Sequence, residues 1–175
     1  MWRGWTSIWK LSGGEEIVVC DWISKNFDAS EYKITDDSFN RIIARFGDFD
    51  CDWFASSWSA RTKRFASKFN DRGTAVVDAF TGDWSQRFGF FHPPIELVAE
   101  VLDKAREEDA RGILVVPDWV GSHVSLVMDM AGDSVQFREC MSLEMISAEF
   151  MVNKVFHGVP DFSMKIYELG APAHA

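Results

Sequence analysis

The sequence predicts an α/β fold: a mainly parallel sheet with helices on both faces. Two observations carry this. The apolar run Phe88–Phe91 ends in His92-Pro93-Pro94, and the amphipathic segment Ile95–Glu108 then leads into a second apolar run, Ile113–Val116. That order reads as a strand, a turn, a helix and a parallel strand, with a right-handed crossover. Upstream, Phe39, Ile42, Ile43 and Phe46 recur at i, i+3, i+4 and i+7, the apolar stripe of another helix. In open α/β sheets, ligands bind at the C-terminal ends of the strands, so the His92-Pro93-Pro94 turn is the first place to look for a site. Its paired prolines fix the backbone and remove two N–H donors, which lets preceding carbonyls face a ligand.

The elements follow in order. Residues 1–30 stand apart as an irregular N-terminal segment: Met1–Lys10 holds three tryptophans, and Ser12-Gly13-Gly14 breaks the pattern. Residues 31–170 form one α/β domain, and 171–175 a tail. Thr35 or Asp36 caps the first helix and Gly47 stops it. From Asp48 to Phe54 the chain alternates Phe49, Cys51, Trp53 with Asp48, Asp50, Asp52, a strand pattern that puts the three aspartates on one face. Ser56–Arg72 is polar and basic and reads as a loop with at most one helical turn. Ala75–Phe80 is a short strand, and Gly82-Asp83-Trp84-Ser85 a turn. In the next helix Ile95, Val98, Val101, Leu102 and Ala105 line one face. Glu100–Lys104 and Glu107–Arg111 stand at i, i+4, and Gly112 ends it. Val135–Arg138 reads as a strand, Leu143–Lys154 as a helix and Phe162–Leu169 as a strand.

Composition bounds the function. The 175 residues suffice for one core, and 47% are apolar. Eight Trp and fifteen Phe promise an aromatic core or an aromatic surface for a partner. A net charge of −9 opposes a general nucleic-acid-coating role and leaves room for a local basic patch. Cys20, Cys51 and Cys140 lack metal-ligand spacing, which points to a reduced intracellular setting, cytoplasmic or nuclear. No apolar run is long enough for a membrane span, and no continuous apolar stretch near the start suggests a signal peptide. The four histidines share no metal spacing, so no metal site is expected.

Three constellations could carry chemistry. Asp50 and Asp52, near a strand end with Ala55 and Ser56, could grip ribose hydroxyls or a metal; a solvated strand edge explains them equally well. No Gly-rich phosphate loop follows. Asp78 and Asp83 with Phe80 and Trp84 offer the carboxylates and flat walls of a purine slot, and a turn built on Asp, Gly and a core Trp accounts for the same residues. Arg61, Lys63, Arg64, Lys68 and Arg72 set five cations against one acid, Asp71, with Phe65 and Phe69 interleaved. Cations with aromatics are the chemistry of single-stranded nucleic-acid contact; a solvated charged face is the plainer account.

The runs Asp50-Cys51-Asp52-Trp53-Phe54-Ala55-Ser56, Arg64-Phe65, Ser67-Lys68-Phe69, Gly73–Phe80 and Asp83-Trp84-Ser85 resemble a region of retrotransposon polyproteins. That region lies between the reverse transcriptase–RNase H part and the tyrosine recombinase of DIRS-like elements. Gly112–Trp119 and Val155–Phe162 fit the same family, so the resemblance spans about residues 16–168. Cys20–Lys25 is similar to the last motif of an RNase H domain, with Asp21 as its final metal-binding carboxylate. The other carboxylates of that cluster are absent, so no nuclease activity is expected. Neighbouring polyprotein domains are the implied partners.

The segment is in turn similar to phage-type Dam DNA adenine methyltransferases. That resemblance implies a Rossmann-like S-adenosylmethionine fold. Asp50, Asp52, Ala55, Ser56 and Asp78 would lie near the cofactor, and His92, Pro93, Pro94 and Ile95 would form the catalytic turn. Such enzymes start the turn with Asn or Asp and end it with an aromatic residue that stacks on the flipped base. His92 accepts through only one nitrogen, and Ile95 has no π face. Losing the stack costs about 1–3 kcal/mol. Bulky Trp53-Phe54 also replaces an expected small pair. The expectation is a methyltransferase-like fold without activity or bound cofactor, serving as a connecting or nucleic-acid-contacting module. The alternatives are an active S-adenosylmethionine-dependent adenine methyltransferase and a domesticated protein-interaction domain.

Overall fold

The computed structural model describes residues 32–117, 137–141, 148–152, 155–158 and 164–170. The expectations for residues 1–30, Asp21 among them, and for the tail lie outside these. The described chain runs β1 (Tyr32–Ile34), α1 (Asp36–Phe46), β2 (Cys51–Asp52), β3 (Ala66–Ser67), β4 (Val76–Val77), a 3₁₀ turn (Ala79–Thr81), β5 (Phe88–Phe91), a 3₁₀ turn (Ile95–Leu97), α2 (Val98–Glu107), β6 (Arg111–Pro117), β7 (Phe137–Met141), β8 (Ala148–Val152), β9 (Val155–Gly158) and β10 (Met164–Leu169).

The central sheet has the order β2-β5-β6-β10-β7. β2–β5 and β5–β6 pair in parallel, with Phe90 opposite Ile113. β10 runs against both of its neighbours and lies between β6 and β7. Beyond β2, the parallel bridge from Asp52 to Phe65 leads to the parallel pair β3–β4. The succession across the molecule is therefore β4-β3-β2-β5-β6-β10-β7, with β10 alone reversed. β1, β8 and β9 make a separate antiparallel sheet.

Alternation along the buried strands sends side chains to two cores. Phe90, Ile113, Val115, Met164 and Ile166 face α1, where Phe39 and Ile42 meet them. Phe91, Leu114, Val116, Tyr167 and Leu169 face α2, which supplies Val98, Val101, Leu102 and Ala105. One helix thus covers each face, as the sequence predicts. Thr35 caps α1 by accepting from the Ser38 N–H at 3.2 Å, and Gly47, at φ +85°, ends it.

Four expectations change. α2 ends at Glu107, and the chain turns at Asp109 with φ +49°. Gly112 is instead a β6 residue opposite Gly89, where an added Cβ would come 2.0 Å from the Gly89 carbonyl oxygen. Lys104 pairs with Glu108 rather than Glu100: the other Glu108 carboxylate oxygen accepts from the Trp84 N–H at 2.7 Å, which holds that carboxylate in place. The described part of Leu143–Lys154 is β8, drawn into a strand by pairing with β1 and β9. The aspartates of 48–52 do not share a solvated face: Asp52 is buried at 2% exposure, because an internal strand buries both its sides. Among the described residues, no helix is long and apolar enough to cross a membrane.

Candidate functional site

β2 and β5 lie side by side, yet the chain leaves them in opposite directions. From β2 it turns toward β3, and from β5 it crosses over α2 to β6. A crevice forms where neighbouring parallel strands diverge in this way. Two segments meet there, Trp53–Ser56 after β2 and His92–Ile95 after β5. The Trp53 N–H still donates to the Phe90 carbonyl at 2.9 Å, which holds the two strand ends together.

On the α1 side the crevice is polar. The Asp52 carboxylate accepts from the backbone N–H of Arg61 at 3.0 Å and of Phe54 at 3.4 Å. Burial lifts its pKa to about 6, against the pull of those donors and of the Arg61 charge. The Asp52 N–H donates to Thr62 Oγ1 at 2.9 Å, and that hydroxyl donates to the Arg64 carbonyl at 2.5 Å. The Arg61 guanidinium leaves the loop entirely. It pairs with Asp36, donates to the Ile34 carbonyl and covers the Phe39 ring at 5.1 Å. Burial, helped by the Arg61 charge, pulls the His92 pKa down to about 4, although the residue as a whole is only half-buried. At neutral pH His92 is an uncharged acceptor, and Asp52 is largely ionised.

On the α2 side the crevice is filled. Trp53 is 1% exposed and packs 5.8 Å from Trp84, which in turn meets Phe91 at 4.9 Å. Phe54 and Phe80 close the layer, 5.8 Å apart. Gly82 and Gly89 make room for the indole: a Cβ at either would come within 2.3 or 2.7 Å of it. The indole Nε1 is buried without a hydrogen-bond partner. Ile95 packs against the same core, and the Pro94 carbonyl accepts from Leu97 N–H at 3.0 Å.

The structure therefore brings Asp52, Ala55, Ser56, His92, Pro93, Pro94 and Ile95 to one sheet edge. Ser56 is tied locally, its Oγ 2.9 Å from that of Ser59. Asp50 lies at the opposite end of the strands, where it accepts from the Phe88 N–H at 2.9 Å. Asp78 follows β4, two strands away from β2, in a positive-φ turn that caps Phe80. Trp84, at 0% exposure, cannot wall an open purine slot. Among the described residues, no group of three or more His, Cys, Asp or Glu is placed to hold a metal.

The basic run divides in two. Arg61 is occupied as a tie, Arg64 is half-buried with an unpartnered Nε, and Phe65 is buried at 6%. Phe65 thus anchors the loop, and its ring is not available to stack on a base. Lys63, Lys68, Phe69 and Arg72 are exposed. Sequence reasoning missed the roles of Thr62 and Arg61. A cation that reaches across 25 residues to Asp36 carries no local signature.

The chain matches no protein-family model, no curated protein and no solved structure.

Proposed function

We propose that this chain is a methyltransferase-like module of a retroelement polyprotein that has lost methyl transfer and serves to contact nucleic acid. One observation carries the loss: the crevice between β2 and β5 is filled on one face by the chain's own Trp53. The strand succession supports the Rossmann-like ancestry. β4-β3-β2-β5-β6 follows the 3-2-1-4-5 order of doubly wound nucleotide-binding sheets. A single reversed strand, β10, then lies between β6 and β7 and closes that side of the sheet.

The turn chemistry supports the same reading. A target amino group needs a strong acceptor and a stacking wall. His92 offers one neutral nitrogen and Ile95 is packed into the core. The retroelement origin rests on the sequence resemblance. Titrating S-adenosylmethionine into the purified chain by calorimetry tests the proposal. The expected result is no saturable heat. A dissociation constant in the low micromolar range, with labelled methyl incorporation into DNA that disappears in His92→Ala, would restore the enzyme reading.

A further inference from the structure

The two exposed large hydrophobic side chains among the described residues, Phe69 at 60% and Val77 at 47%, lie at the same corner. Val77 pairs in register with Ser67, and Phe69 is two residues beyond Ser67. The loop that displays Phe69 is held by its own backbone. Asp71 N–H donates to the Phe69 carbonyl at 2.8 Å and Thr74 N–H to the Asp71 carbonyl at 3.1 Å. The ring is thus presented by a hydrogen-bonded turn, with the buried Phe65 as the anchor beneath it. Lys68 Nζ sits 5.5 Å from the Phe69 centroid, and Arg72 stands exposed on the same turn.

The nearby carboxylates are turned to the protein. Asp71 Oδ2 accepts from Ser57 N–H at 3.2 Å and Ser67 Oγ at 3.3 Å, and Asp78 Oδ1 accepts from Phe80 N–H at 3.0 Å. The chain's net charge of −9 repels polyanions elsewhere on its surface, so a polyanion with aromatic faces is steered to a spot such as this one, an exposed flat ring flanked by two cations. Single-stranded nucleic acid has both; a duplex hides its faces, and a lipid headgroup has none.

We propose that the Lys68–Phe69–Arg72 corner binds single-stranded nucleic acid, with Phe69 stacking on an unpaired base and the two cations on flanking phosphates. This names the partner of the module proposed above and rests on that reading. The S-adenosylmethionine titration reports on the crevice alone, so the two can fail separately.

The test is fluorescence anisotropy with the full chain and labelled single-stranded DNA and RNA across a salt series. Duplex and anionic phosphatidylserine vesicles are the comparison ligands. Phe69→Ala should weaken single-strand binding about tenfold at every salt concentration. Lys68→Ala/Arg72→Ala should reduce the slope of log K against log salt by about 1.4, at roughly 0.7 per phosphate contact. Both variants alter exposed side chains, and circular dichroism checks that they stay folded. Equal binding by wild type and both variants, no binding at low salt, or tighter Phe69-dependent binding to duplex or vesicles would each overturn the assignment.

Discussion

Asp52 and His92 should pull the pH dependence of stability in opposite directions, and removing either one should expose the other. The folded Asp52 pKa is raised to about 6 from 3.8, so between those values the folded state binds the extra proton. Its contribution therefore falls as pH rises through that window, by roughly 3 kcal/mol in all at about 1.4 kcal/mol per pH unit. The folded His92 pKa is lowered to about 4 from 6.5, so between those values the unfolded state binds the extra proton. Its contribution rises with pH over nearly the same window. It amounts to roughly 3 kcal/mol at most, and to less because the residue is only half-buried. In the wild type the two slopes largely cancel. Relative to wild type, Asp52→Asn should lose stability as pH falls from about 6.5 to 4, and His92→Gln should gain it. Urea unfolding followed by tryptophan fluorescence at stepped pH measures both differences, and the titration of all other carboxylates is common to the compared proteins. Two flat difference curves, or two of the same sign, would refute the burial of this pair and the reasoning built on it.

Two further outcomes follow from packing. Gly112→Ala would drive a Cβ into the Gly89 carbonyl at a φ of +154°, so a loss on the order of 3 kcal/mol, roughly 6–12 °C in Tm, is expected by calorimetry. Phe65→Ala should cost about 3–5 kcal/mol in urea unfolding, while Phe69→Ala changes stability by less than about 0.5 kcal/mol, since the first ring is buried and the second exposed.

Where structure is dictated locally, the sequence was legible. α1 shows its cap at Thr35, its stripe at Phe39, Ile42, Ile43 and Phe46, and its stop at Gly47. β5, α2 and β6 announce a parallel pair through a continuous apolar run that only a twice-covered strand needs. The turn at His92 was rightly placed at a strand's C-terminal end. Distant partners hid the rest. β8 is a strand because β1, more than a hundred residues earlier, pairs with it. Asp52 was misread because Phe49 belongs to the α1 core and Cys51 and Trp53 to the α2 core, so the apparent alternation spans a bend before β2 begins. Arg61 looked like its neighbours in a basic run, and only the fold brings it to Asp36, Ile34 and Phe39.

The reversed strand β10 also completes the sheet late in chain order. β7 leaves the ribosome before β10 but has no place of its own in the sheet, because it touches β6 only through β10. Until Met164–Leu169 emerges, the β6 edge from Gly112 to Pro117 offers six residues of unpaired ladder. An apolar edge left bare during synthesis is a template for pairing between nascent chains. Pairing with Met164–Leu169 is what covers that edge in the folded chain.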